Sequence, residues 1–217
     1  MRMSTDVQRL RLRLVALVLA ATAVAAVPLG VLWPSSSRSD GAYSFADIEP
    51  LRQQWWLVLT LLAAMLPLNL AAQALATMSL VRERGAAWAT WGGVLMFIGA
   101  SLQAIGITFL AGAYYFATDA EVPHDAARAV LDAISHDQGR LYGTLIPGAV
   151  LALVGTVAQV VGLLRAGTVP RWIPVGLAFI AATFFVPGDG AVGLLTSIPT
   201  AVAALGLASY VARGPKL

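Results

Sequence analysis

The chain has 217 residues, 59% of them hydrophobic and 12% charged, with a mean hydropathy of +0.78. An ordinary soluble domain, in which about 25% of residues are charged, is excluded. The absence of cysteine excludes structural disulfides and thiol redox chemistry.

A helix that crosses a bilayer needs about 20 mostly apolar residues, because every backbone hydrogen bond must be made internally over about 30 Å of hydrocarbon. Six stretches meet that need: Leu12 to Trp33, Trp55 to Leu80, Ala87 to Phe116, Leu141 to Leu164, Trp172 to Val186 and Ala191 to Ala212. The fold expected is an all-α polytopic bundle of six transmembrane helices, forming a single integral membrane domain over residues 1–217. The first stretch has a basic start and an Ala-rich end that also describe a signal peptide. Its apolar run continues through Val27 to Trp33, longer than a signal core, so a retained helix is expected.

The second stretch carries Asn69, Gln73 and Thr77 at intervals of four and is followed by Val81-Arg82-Glu83-Arg84-Gly85. Similar endings, Leu164-Arg165-Ala166-Gly167 and Ala212-Arg213-Gly214, follow the fourth and sixth. A basic residue meets the negative end of a helix dipole, and glycine just beyond permits a left-handed cap. Trp88-x3-Gly92 and Trp172-x3-Gly176 then open the next helices, so the second-third and fourth-fifth pairs read as hairpins of one pattern, compatible with an internal duplication. Between spans, Ser44 to Gln54 and Pro123 to Gln138 are partly amphipathic. In the latter Ala127, Val130, Leu131 and Ile134 recur at helical spacing, with Arg128, Asp132 and His136 on the other side. That predicts a surface helix between the third and fourth spans, lying on the membrane or capping the bundle. Pro187-Gly188-Asp189-Gly190 reads as a tight turn.

Basic residues concentrate on one side of this layout. Ten of 14 (Arg2, Arg9, Arg11, Arg13, Arg82, Arg84, Arg165, Arg171, Arg213, Lys216) fall on the side of the termini, and nine of 11 acidic residues fall on the other. The positive-inside rule then predicts cytoplasmic N- and C-termini, and it accounts for the net charge of +3 without a nucleic-acid partner. All six tryptophans stand at span ends (Trp33, Trp55, Trp56, Trp88, Trp91, Trp172), where an amphipathic ring anchors at the headgroup level.

Gly92, Gly99 and Gly106 in the third span and Gly148, Gly155 and Gly162 in the fourth are each spaced by seven, so each helix carries a glycine stripe. The spans run antiparallel, and pairing 92 with 162, 99 with 155 and 106 with 148 matches all three pairs at once. Small residues let backbones approach closely, the main packing gain available inside a bilayer. The same register sets Gln103 opposite Leu151 and Gln159 opposite Leu95.

The central part of every span lacks Asp, Glu, Lys, Arg and His, which argues against a proton-coupled carrier or pump. The polar candidates are neutral: Asn69, Gln73, Thr77, Gln103, Gln159, Thr196 and Thr200. They either glue helices together or line a cavity for an uncharged or amphipathic ligand, because unpaired amides facing lipid are expensive. Pro28, Pro67, Pro147, Pro174 and Pro199 lie in or near spans and would free carbonyls or kink helices. His124 and His136, twelve positions apart or about 18 Å along a helix, are too distant to share a metal. No metal or cofactor site is expected, and no Ser/His/Asp set appears.

The phrase Gly162-Leu163-Leu164-Arg165-Ala166-Gly167-Thr168-Val169-Pro170-Arg171-Trp172, followed by Ile173-Pro174-Val175-Gly176, resembles one found in six-helix bacterial membrane proteins of actinobacterial type. The resemblance covers one hairpin and the six-span layout. It implies a bacterial inner-membrane location and carries no activity.

The expected function is a non-enzymatic binding, accessory or assembly component whose partners are membrane lipids and either a membrane protein or a small lipophilic ligand. One alternative is a facilitator or carrier of a small neutral or lipophilic solute through the Asn69, Gln73 and Gln159 region. A second is an interfacial enzyme at the outer face using His124, His136 and neighbouring acids.

Overall fold

The computed structural model describes residues 5–34, 43–136, 139, 142–183 and 190–214, and among these residues the regular structure is entirely helical. Helix α1 spans Thr5–Leu32, α2 is one turn at Phe45–Ile48, and a 3₁₀ turn at Glu49–Leu51 leads into α3, Arg52–Leu80. Then come α4 (Ala86–Ala117), α5 (His124–His136), α6 (Leu145–Ala166), α7 (Trp172–Thr183) and α8 (Gly190–Arg213). Among the described residues, four segments are long and apolar enough to cross a membrane: Asp6–Leu32, Phe45–Leu80, Ala86–Ala117 and Leu145–Ala166.

Helix α1 starts seven residues before its apolar run and carries Arg9, Arg11 and Arg13 in its first turns. Hydropathy marks where lipid begins, whereas backbone hydrogen bonding continues through residues of good helix propensity such as Leu and Arg. Three glycines adopt positive φ: Gly85 at 89°, Gly167 at 62° and Gly214 at 75°. Gly167 ends α6, its N–H donating to the Leu163 carbonyl, as the capping rule predicts. Gly85 instead opens α4, since α3 has already ended at Val81 in extended conformation.

The prolines divide into two kinds. Pro147 and Pro174 occupy first turns, where the missing N–H has no helical acceptor to lose. Pro28, Pro67 and Pro199 lie inside α1, α3 and α8, and each deprives a carbonyl four residues earlier of its donor.

The long helices form a closed ring in which α1 packs on α3, α3 on α4, α4 on α6, α6 on α7, α7 on α8 and α8 on α1. Helix α3 also touches α6 and α8 across the interior. The largest core cluster joins α1, α3, α4, α6, α7 and α8 through residues such as Leu19, Ala76, Ala89, Leu163, Ile173 and Leu207. A small middle cluster of Leu70, Met96, Ala100 and Ala152 joins α3, α4 and α6. The other end is filled by Phe45, Ile48, Trp55, Leu59, Ile107, Ala111, Tyr114, Ala127 and Leu131.

Helix α5 therefore caps the bundle. Ala127 and Leu131 are buried, while Val130, which the periodicity grouped with them, is about half exposed at 48%. The anchor reading of the tryptophans also divides. Trp88, Trp91 and Trp172 are exposed, but Trp55 is 1% exposed and is the largest fully buried side chain among the described residues. Position at a span end does not decide direction, and Trp55 is turned inward against Trp33, Tyr43 and Tyr114.

Outside, Leu17, Leu61, Leu68, Leu75, Phe97 and Phe109 are exposed. An apolar belt of this kind is costly in water and suited to hydrocarbon, which points to a membrane protein.

Candidate functional site

The polar residues of the spans meet three different fates. Asn69 on α3 donates from Nδ2 to Thr22 Oγ1 on α1 at 2.8 Å, and Thr22 donates on to the Val18 carbonyl at 2.8 Å. This member of the stripe joins two helices. Thr22 is the only uncharged polar side chain between Leu12 and Trp33, and that isolation was the available signal for a partner.

Gln73 and Thr77 point elsewhere. Leu68 and Leu75 mark the exposed side of α3, Asn69 marks the side toward α1, and Ala74 lies toward Gly93 of α4. At 3.6 residues per turn, Gln73 and Thr77 fall on the remaining arc, opposite Leu68 and Leu75, and α3 touches both α6 and α8. Gln73 is 2% and Thr77 0% exposed. Gln73 Nε2 and Thr77 Oγ1 have no hydrogen-bond partner among the described residues.

Gln159 on α6 is also fully buried, at 0% exposure. Its Nε2 donates to the Ala89 carbonyl of α4 at 3.3 Å, whereas its Oε1 has no partner among the described residues. A Cβ at Gly93 would lie 3.2 Å from Gln159 Nε2 and 3.1 Å from the Ala74 Cβ, so this amide reaches the α3 side of the junction. Gln103 Nε2 and Thr200 Oγ1 are buried and unpartnered as well. Thr196 lies in α8, with its side chain outside the described residues. A buried polar group left without a partner costs about 1–3 kcal/mol, so an accumulation of them inside one bundle calls for a cause.

The glycine stripes form a close seam. A Cβ at Gly92 would lie 2.7 Å from the Gly155 carbonyl oxygen, one at Gly99 2.5 Å from that of Gly148, and one at Gly85 2.5 Å from that of Gly162. The register is thus displaced by seven residues from the pairing of 92 with 162, 99 with 155 and 106 with 148. A seven-residue repeat matches itself after a shift of seven, and Gly85, itself seven before Gly92, extends the α4 stripe to receive Gly162. Gly106 meets Leu145 and Thr144 instead.

The shift also moves the glutamines. Gln103 Cγ would lie 2.9 Å from a Cβ at Gly148, and Gln159 Cγ 2.9 Å from one at Gly92, so each glutamine stem lies over a glycine and not opposite Leu151 or Leu95. The contacts exchange under an offset of 56 residues: Gly92, Gly99 and Gln103 of α4 play the parts of Gly148, Gly155 and Gln159 of α6. This local pseudo-two-fold relates α4 to α6 and differs from the hairpin pattern read in the sequence.

At the capped end, Arg52 at the start of α3 donates from Nε to the Tyr115 carbonyl at 2.9 Å, stacks 3.9 Å from the Tyr115 ring and pairs with Asp119. The Glu121 backbone N–H and the Arg52 side chain, both donating to Asp119, hold its carboxyl below the usual carboxylate range. This tie contributes stability above the ordinary aspartate pKa of about 3.9 and loses it as pH falls through that range toward the lowered value. Asp119→Asn is expected to abolish this pH dependence, leaving thermal melts between neutral pH and pH about 3 less steeply dependent on pH than the parent's.

His124 Nε2 lies 3.5 Å from Glu49 Oε1, with its ring 5.3 Å from that of Phe45. His136 Nδ1 meets the Asp132 carbonyl oxygen of its own helix at 2.8 Å. The two stand at opposite ends of α5 and are not brought together. Asp137, Arg140 and the Pro187 to Asp189 turn lie outside the described residues.

The class defined here is an all-α protein whose long apolar helices suit a membrane. Comparison with protein-family models, curated proteins and solved structures finds no match for the chain.

Proposed function

We propose that the chain is a six-span protein of the bacterial cytoplasmic membrane, with both termini cytoplasmic, acting as a non-catalytic binding, accessory or assembly component. The observation that carries this reading is where the polar groups go. Asn69 bonds Thr22 and Gln159 bonds the Ala89 carbonyl, while the central part of every span lacks Asp, Glu, Lys, Arg and His. Side chains spent on joining helices support a scaffold whose working surface is its lipid-facing exterior.

Photo-crosslinking in native membranes from Phe97 and Phe109, both exposed on α4, is expected to yield a discrete protein adduct. Adducts with lipid alone at both positions would contradict the reading. Topology has its own check, because the chain holds no cysteine. A membrane-impermeant maleimide is expected to label Ser44→Cys in intact cells, and Arg84→Cys only after the membrane is opened. The reverse pattern overturns the orientation.

A second reading, a facilitator of small neutral solutes, is favoured by the unpaired polar atoms of Gln73, Thr77 and Gln159. Its test is the flux of urea and glycerol into vesicles holding the purified chain. Flux equal to that of empty vesicles excludes it.

A further inference from the structure

We infer that Gln73, Thr77 and Gln159 wall a buried site for a small neutral molecule carrying both a hydrogen-bond donor and an acceptor, of the class of water or a small amide. The inference shares residues with the facilitator reading but not its claim of transport, since a guest that never crosses the membrane satisfies it.

Placement comes first. Gln73 and Thr77 stand one helical turn apart on the arc of α3 opposite exposed Leu68 and Leu75, and α3 touches both α6 and α8. Gln159 approaches the same junction from α6, its amide meeting Gly93 at the point that the Ala74 methyl also reaches. Exposures of 2%, 0% and 0% mean that bulk solvent reaches none of the three.

The pattern of unmade bonds then defines the guest. Gln73 Nε2 is a donor without an acceptor, Gln159 Oε1 an acceptor without a donor, and the Thr77 hydroxyl serves as either. One molecule able to give and receive satisfies all three, and a buried water characteristically makes two to four such bonds. Thr156, one turn before Gln159, needs no guest because its hydroxyl donates to the Ala152 carbonyl at 2.8 Å. Charge is excluded on the guest, because the middle of each span offers no ionisable side chain to neutralise it. Size is restricted too, since even a Cβ added at neighbouring Gly93 would lie 3.1 Å from the Ala74 Cβ and 3.2 Å from Gln159 Nε2.

Pairing of the two amides with one another is the competing arrangement, and it would leave the junction dry. Solid-state NMR on the full chain in phospholipid vesicles, with ¹⁵N in the glutamine side chains, separates the two. Magnetisation starting on water is expected to reach the Gln73 and Gln159 amides on the timescale seen for exposed Gln53. Transfer in plain buffer identifies water as the guest; transfer that appears only from added ¹³C-urea identifies a small amide. Amides that receive nothing from either source overturn the site.

Thermal melting of Gln73→Met provides a second measurement. An occupied site predicts a melting temperature equal to or below the parent's, because a bond to the guest is lost. A variant melting several degrees above the parent marks a dry, orphaned amide and counts against the site. If the variant fails to fold, the transfer measurement on the unaltered chain decides alone. The flux assay reads transport and this one reads occupancy, so the two ideas fail separately.

Discussion

Gly99→Ala is expected to destabilise the purified protein by about 3 kcal/mol, near the upper end for overpacking, and to lower its melting temperature by about 6–12 °C for a chain of this length. The added carbon would sit 2.5 Å from the Gly148 carbonyl oxygen and also against the Ala152 backbone nitrogen. Both obstacles are backbone, so no side-chain rotation relieves them and α4 must move away from α6. Separation then costs contact along the whole seam, because Gly92 and Gly155 depend on the same close approach. Where helix association rests on close packing, with little hydrophobic force to draw the helices together, that loss has no ready replacement.

Gly112 lies on the same helix with nothing within 4 Å of a Cβ placed there. Gly112→Ala is expected to raise stability by about 0.5–1 kcal/mol through helix propensity alone. Melts followed by circular dichroism in one detergent check both. Equal effects at positions 99 and 112 would remove the seam as the reason for the glycines. The register has its own readout: cysteines replacing Met96 and Ala152, neighbours in the middle cluster, are expected to crosslink, whereas the register displaced by seven would bring Met96 to Gln159.

The comparison of these two registers shows how far the residues alone could lead. Hydropathy marks the helices because lipid demands long apolar runs, and Arg-Ala-Gly167 and Arg-Gly214 mark their ends because a left-handed turn demands glycine. The stripe on α4 and its partner on α6 were likewise legible. Their relative sliding was not, since a repeat of seven is satisfied equally well one repeat away, and the connector holding α5 is too long to fix the alignment. Direction around a helix posed the same difficulty. Asn69, Gln73 and Thr77 share a spacing of four, yet Asn69 turns to α1 and the other two to the interior, a division set by which neighbours surround α3. The candidate site was legible as a set of residues, and its unmade bonds were visible only once those neighbours were in place.

Trp55 has the same dependence, and it carries the second large effect. Trp55→Ala is expected to cost about 3–5 kcal/mol, while Trp91→Ala, at a residue 69% exposed, stays within about 0.5 kcal/mol. The indole of Trp55 meets the rings of Tyr43 at 4.5 Å, Tyr114 at 5.5 Å and Trp33 at 5.8 Å, all edge to face. Such pairs add about 0.5–1.5 kcal/mol beyond the area they bury. Trp33 also donates from Nε1 to the Tyr43 hydroxyl at 3.0 Å. One side chain of α3 thus ties the end of α1, the segment before α2 and the end of α4.

Its removal should therefore loosen the cap before the seam. Near-ultraviolet circular dichroism is expected to lose its aromatic signal in Trp55→Ala at temperatures where far-ultraviolet helicity persists. Limited proteolysis is expected to cut within His124 to His136 sooner than in the parent. Trp55→Phe should recover part of the stability, because the indole N–H has no partner among the described residues and only ring area is lost. If Trp55→Ala and Trp91→Ala melted alike, tryptophans 55 and 91 would both be headgroup anchors and the capped end would owe nothing to ring packing.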